Sequence, residues 1–232
     1  FNDTATTEIY TTLLSSAASD VYKRQVLFDH IKRTGLALLI GVGAEGPLAS
    51  HAPMLLERDQ GANGRLVGHL AKANPHWQQA LGDKPALAVF QGPDGYITPS
   101  WYASKQAHGR VVPTWNYAVV HARGPITFFE DRDRLHEVVS RLTDFHERRR
   151  AEPWAVTDAP ERFVEAQLRG IVGFVLQIET LTGKYKMSQN RPAEDRDGVV
   201  AGLAGEKGAR ARDTCDLVKA AAEGRFDRTD GR

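Results

Sequence analysis

The sequence predicts a mainly β fold with peripheral helices (α+β), its strands pairing antiparallel and closing into a barrel. Three features predict it. Between residues 36 and 130, short apolar runs alternate with turn-rich stretches such as Gly92-Pro93-Asp94-Gly95 and Gly124-Pro125, the punctuation of hairpins. After residue 130 the apolar spacing changes from two to three and four, the period of helices. A late run, IVGFVLQIETL, is filled with β-branched and aromatic residues, which suit a pleated, buried surface. Closing a sheet made of many hairpins removes its two exposed edges.

In chain order, residues 1–25 are rich in Ala, Ser and Thr and lack a sustained amphipathic period. They resemble adapter-derived sequence and are expected to be non-native and poorly ordered. Val26, Leu27, His30 and Ile31 fall at helical spacing before Gly35, so a short helix opens the domain. Strands are predicted over 36–42 and 47–57. Between them GVGAEG matches the dinucleotide fingerprint by letter, but no helix follows its third glycine and no acidic residue follows at the ribose distance. A hairpin turn fits better. A third strand covers 65–70, and Asn74-Pro75 has the cap and first-turn chemistry of a helix over 76–81, ended by Gly82. Further strands are expected over 86–91, 95–99, 115–123 and 126–130. Leu135, Val138, Leu142 and Phe145 form one helical stripe ending at Glu147-Arg148-Arg149-Arg150. A short helix follows from about Asp158 to Gly170, then a strand over 171–181 closed by Gly183, and helices over 195–203 and 212–222. The expected organisation is one core domain, 26–204, followed by a helical tail, 205–232.

Thirty basic residues against 29 acidic ones leave a net charge of +1, so no overall field draws the protein to nucleic acid or anionic membrane. DNA as a partner has no supporting motif, because no helix-turn-helix signature is present. Arg148-Arg149-Arg150 shares its helix with Asp133, Glu137, Asp144 and Glu147 and reads as a solvated face. The lone Cys215 excludes an internal disulfide and fits a reducing cytoplasm. No apolar run reaches the length of a membrane helix. The eight histidines show no metal-ligand pair with a supporting carboxylate or thiol, so no metal site is expected, and there is no nucleophile-elbow motif.

Three stretches carry candidate chemistry. GHLAKANP places His69, Lys72 and Asn74 at a strand-to-helix junction, which suits a phosphate because ammonium, imidazole and a helix start all favour anions. The same residues also read as a solvated lysine beside an ordinary cap. Three of the four tryptophans fall between residues 68 and 117. Trp101, Tyr102, Trp115 and Asn116 can border a planar, partly polar ligand or serve as core residues at strand ends. KYKMSQNR gathers Lys186, Gln189 and Arg191 beyond the late strand, either as a solvated loop or as the lining of a barrel mouth.

GHLAKANPHW, VFQGPDGYITPSWY, VVPTWNYAVVHARG and KYKMSQNR, in this order, strongly resemble the PaiB-type FMN-binding negative transcriptional regulators, over about residues 26–203. The resemblance implies an FMN-binding split barrel related to pyridoxine-phosphate oxidase, a cytoplasmic homodimer with FMN near the subunit interface, and repression of genes for protease production and sporulation. By the same resemblance His69, Lys72 and Asn74 lie in the phosphate-binding segment and His51 faces the cofactor from the preceding strand. Trp101, Tyr102, Trp115 and Asn116 border the isoalloxazine, and Lys186, Gln189 and Arg191 close the site. A flavin-dependent oxidoreductase and a haem-handling split barrel stand as alternatives.

Overall fold

A computed structural model describes residues 17–82 and 84–226. The chain forms two compact units, one made of Phe28–Phe90 and His121–Leu181, the other of Gln91–Val120 and Thr182–Arg232 with the chain up to Leu27.

The opening helix, α1 (Ala17–Thr34), begins nine residues before the predicted start. Residues 17–25, expected to be poorly ordered, are therefore helical, while the same expectation for residues 1–16 lies outside the described residues. Adding residues to an existing helix costs far less than nucleating one, so a polar, Ala-containing segment extends the helix that 26–34 begins.

In the unit built from Phe28–Phe90 and His121–Leu181, β1 (Leu36–Gly43) and β2 (Gly46–Glu57) form the hairpin read from GVGAEG, with Gly43 opposite Gly46. Gly46 has φ +122°, a conformation that glycine reaches without strain. β3 (Arg65–Ala71) pairs with the end of β2 and, along its whole length, with β7 (Ile171–Gln177), which in turn pairs with β6 (Ile126–Phe129). With residues 86–90 of β4 (Ala86–Ile97), the order is β6-β7-β3-β2-β1-β4, and neighbouring strands in it pair antiparallel. A single turn of helix, α2 (His76–Gln79), follows β3; it is shorter than predicted because the Leu81 N–H bonds back to Val42 O at 2.8 Å. Helix α4 (Arg132–Glu147), capped by the Asp131 carboxylate, lays Leu135, Val138 and Leu142 inward as its stripe predicts. Val138 and Leu142 share a core with Leu55 and Val67. Helix α5 (Glu161–Leu168) ends just before β7.

The second unit holds the order β4-β5-β8 through residues 91–97 of β4, 114–120 of β5 (Thr114–Gly124) and 182–186 of β8 (Thr180–Lys186). Two departures from the sequence reading concern these strands. β4 runs unbroken through Gly92-Pro93-Asp94-Gly95, where a turn is predicted. Proline's fixed φ is compatible with extended backbone, and the segment is tied by Thr214, whose hydroxyl donates to Asp94 O at 3.0 Å, and by Arg210, which donates to the Asp94 carboxylate at 2.7 Å. The predicted strand over 171–181 is two strands, β7 and β8. Gly183 is not a stop; it lies inside β8, where a side chain would overlap Leu27. A 3₁₀ turn (Pro99–Trp101) and helix α3 (Ala103–His108) lie between β4 and β5, and no apolar period announces either. Helix α6 (Ala193–Gly205) and α7 (Ala209–Ala222) build the core of this unit: Val199, Leu203, Cys215, Leu217, Val218 and Ala221 are buried with Ile97, Tyr102 and Met187. The segment expected as a tail thus supplies much of the apolar interior here.

Candidate functional site

Strand parity fixes the first part of the site. Ala52 and Met54 are buried core residues of β2, and successive side chains on a strand alternate between faces. Ser50, of the same parity, is therefore buried and His51 is exposed on the other face, opposite Leu38 of β1. The Ser50 hydroxyl meets the junction after β3. Asn74 donates its side-chain amide to Ser50 Oγ at 2.9 Å and accepts the His76 backbone N–H at 3.0 Å. His76 Nδ1 lies 3.0 Å from the same hydroxyl. The Asn74 side chain so fixes the start of α2, and one of the helix N–H groups expected to be free for an anion is already used.

Among the described residues, half-buried His69 on β3 has no partner for its Nδ1, and the buried His76 Nε2 is likewise unpartnered against Gly41. Burial pushes both imidazoles below their ordinary pKa, which favours the neutral form at neutral pH. The Lys72 ammonium pairs with Glu130 and remains half-exposed. It lines a cleft of about 330 Å³ with Arg132, Arg169, Glu130 and Glu165. The Lys72 backbone N–H bonds to Gly170 O at 2.8 Å, and Trp77 Nε1 donates to Lys72 O at 3.0 Å. The structure thus joins Asn74 to Ser50 and His76, whereas among the described residues no hydrogen bond joins His69 or Lys72 to Asn74.

The remaining predicted residues belong to the other unit. Trp101 lies against α6: a side chain on Gly198 would overlap its carbonyl, and one on Gly202 its indole. Tyr102 is 2% exposed, its hydroxyl has no hydrogen-bond partner among the described residues, and the Arg191 guanidinium sits 4.6 Å above its ring. Burial raises the pKa of this phenol. Asp195, 1% exposed, accepts the Ser104 N–H at 2.8 Å, and its second oxygen has no partner among the described residues. Trp115 and Asn116, neighbours on β5, go to opposite faces. Trp115 is 53% exposed and meets Tyr96 edge-on at 6.0 Å, while Asn116 is fully buried.

KYKMSQNR is held rather than free. Asn116 and Ser188 exchange hydrogen bonds of 3.0 and 3.2 Å, and Ser188 sits at φ +62°. Gln189 accepts the Met187 N–H at 2.7 Å and donates to Tyr185 O at 2.6 Å. Lys186 donates to Thr114 Oγ1 at 2.9 Å. The polar groups that made this stretch look solvated are largely consumed in fixing its shape.

Sequence reasoning missed Ser50, His76 and Asp195. Parity with Ala52 and Met54 would have selected Ser50 over His51. No sequence signal marks the burial of His76 or Asp195.

Each unit, taken alone, offers chemistry that suits one part of a flavin mononucleotide. One offers the half-exposed Lys72 ammonium and the half-buried His69 imidazole, the chemistry of an anion. The other offers indole and phenol rings with an unpartnered phenol hydroxyl, the chemistry of a flat heterocycle. A family described as "Putative FMN-binding domain" matches residues 16–180. "Protease synthase and sporulation protein PAI 2" of Bacillus subtilis (strain 168) is 29% identical over 199 residues, 86% of this chain and 93% of that protein. Among solved structures, the FAD and haem binding protein from Mycobacterium smegmatis superposes with TM-score 0.51 at 20% identity, over 77% of this chain and 78% of that one. The flavocytochrome Anf3 from Azotobacter vinelandii gives TM-score 0.50 at 15% identity, over 71% and 67%. The chain belongs to the FMN-binding domain family and has the antiparallel split-barrel fold of flavin-binding proteins.

Proposed function

We propose that this protein is a homodimeric, FMN-binding negative transcriptional regulator of PaiB type, acting in the cytoplasm on genes of protease production and sporulation. The observation that carries this reading is the likeness to PAI 2 along 86% of the chain and 93% of that relative, combined with a polar junction suited to a phosphate. In this reading Lys72 and His69 hold the FMN phosphate, with Lys72 exchanging Glu130 for the phosphate. Ser50 and Asn74 hold the backbone of the junction. Trp101, Tyr102 and Trp115 flank the ring, Asn116 acts from the opposite face of β5 by holding Ser188, His51 faces the cofactor, and Lys186, Gln189 and Arg191 border it.

FMN, when bound, supplies reversible electron and hydride transfer; the protein supplies the grip and the exclusion of water. An apolar sheet face supports the homodimer. Leu36 and Val42 of β1 are 54% and 40% exposed, and Pro53, Ala49 and Pro47 of β2 stand opposite Leu36, Ile40 and Val42. Such a face, with His51 within it, suits a second copy of the chain.

Reconstitution with FMN tests the cofactor: flavin absorbance retained after desalting and quenched flavin fluorescence are expected, and the absence of both refutes it. Gel-shift titrations with genomic fragments at two salt concentrations test direct DNA contact. Steady NAD(P)H oxidation by the holoprotein would instead make it a flavin oxidoreductase.

A further inference from the structure

Away from the residues considered above, the unit containing β1 to β3 carries a cleft of about 460 Å³ formed by the end of α1, the last part of β2 and the C-terminal half of α4. That volume falls within the roughly 300–1,000 Å³ usual for small-molecule sites. Met54, Leu55, Leu56 and Phe145 give it an apolar lining, and Lys32, Arg141, Arg148 and Asp144 supply its charges. The lining is continuous with the core, since Leu55 and Phe145 pack with Val138 and Leu142.

Its cations are not equivalent. Arg141 is committed, paired with Glu57 and with Glu137 at 3.2 Å. Lys32 and Arg148 have no carboxylate within ion-pair distance among the described residues. Arg148 is nevertheless held in place, its guanidinium 4.3 Å above the Phe145 ring, so part of the entropy of ordering that side chain is already spent before a ligand arrives. Two uncommitted cations thus face one uncommitted anion, Asp144. That balance favours a single negative charge and disfavours a dianion, which would meet Asp144 as well.

We propose that this cleft is a second ligand site, separate from the candidate flavin residues, and that it takes a small amphipathic monocarboxylate. The aliphatic or aromatic body covers the apolar wall where Leu55 meets Phe145, and the carboxylate lies between Lys32 and Arg148. A planar guanidinium suits a carboxylate through paired N–H donors, and the apolar lining supplies a transfer term that a free inorganic anion would lack.

Titration calorimetry with octanoate, octan-1-ol and octylammonium tests this on the full chain, with and without FMN. Octanoate should bind saturably in both forms, octan-1-ol at least about fivefold more weakly, and octylammonium not measurably. Lys32→Glu combined with Arg148→Glu should abolish the preference for octanoate while leaving octan-1-ol binding unchanged. Arg149→Glu, a neighbouring exposed charge outside the lining, should leave both unchanged. Equal affinity for acid and alcohol, no octanoate binding up to millimolar concentration, or equal loss in the Arg149→Glu control would each overturn the proposal. The wild-type ligand series decides independently of how the variants fold. Because the cleft shares none of the candidate flavin residues, failure of FMN binding leaves these outcomes unaffected.

Discussion

Ser50 shows how much one hydroxyl can organise, since it meets both the Asn74 amide and the His76 imidazole. Ser50→Ala would leave the buried His76 imidazole and the part-buried Asn74 amide without their partner, a loss of about 1–3 kcal/mol readable as a lower urea midpoint. Lys72→Ala should leave the midpoint nearly unchanged, because its ion pair with Glu130 is half-exposed and such pairs contribute little. In the proposed function it should weaken FMN binding about tenfold or more, the equivalent of one charge-assisted hydrogen bond; unchanged quenching titrations would remove Lys72 from the site. His30 sets a pH dependence. Burial, with a smaller opposing effect from its bond to Phe90 O at 2.9 Å, lowers its pKa to about 4 from an ordinary 6.5. Between those values the unfolded chain binds a proton that the folded chain refuses, so stability rises with pH through this window and is fully present above it. Lowering the pH from 7 to 4 should cost about 3 kcal/mol from this residue. His30→Gln should flatten the dependence of the urea midpoint on pH, and an unaltered slope would contradict the assignment. His69 and His76 shift in the same direction, so part of the slope survives.

At the level of elements, α6 is a glycine-notched support for Trp101. Gly198→Ala and Gly202→Ala each place a methyl group into space already filled by Trp101, and overpacking of this kind costs about 1–3 kcal/mol. Each should lower the urea midpoint and shift the tryptophan emission; equal stability would show that α6 and the Trp101 segment separate easily. The long helices were readable in the sequence because α4 repeats apolar residues at one face and an aspartate caps it. Strand limits were readable where glycine and alternation agreed, as in the β1–β2 hairpin. They failed where a tertiary bond replaced the local signal. Thr214 and Arg210 hold Gly92-Pro93-Asp94-Gly95 extended. The apolar run after Gly170 changes strands at Ile178-Glu179, where the two backbone N–H groups bond to Gly64 O and Arg123 O at 3.1 and 2.9 Å. Neither partner is near in sequence, so no window of residues could announce it.

For the whole molecule, the proposed homodimer predicts that Leu36→Asp with Val42→Asp converts a dimer to a monomer in sedimentation equilibrium. A dimer unchanged by both substitutions would place the contact elsewhere. If FMN lies near that contact, the same variant should also lose flavin fluorescence quenching. By itself the sequence determined the fold class, the antiparallel hairpins and the membership in an FMN-binding family, because periodicity, turn residues and ordered motifs are local properties of the chain. It also nominated the polar junction at His69, Lys72 and Asn74. Only the tertiary structure decided which of those side chains meet. Asn74 turned to Ser50 and His76, Lys72 to Glu130, Trp115 and Asn116 to opposite faces of one strand, and α7 to the interior of its unit. The physical reason is that burial and hydrogen-bond choice depend on partners brought together from distant parts of the chain, and a buried polar group takes whichever partner the packing supplies.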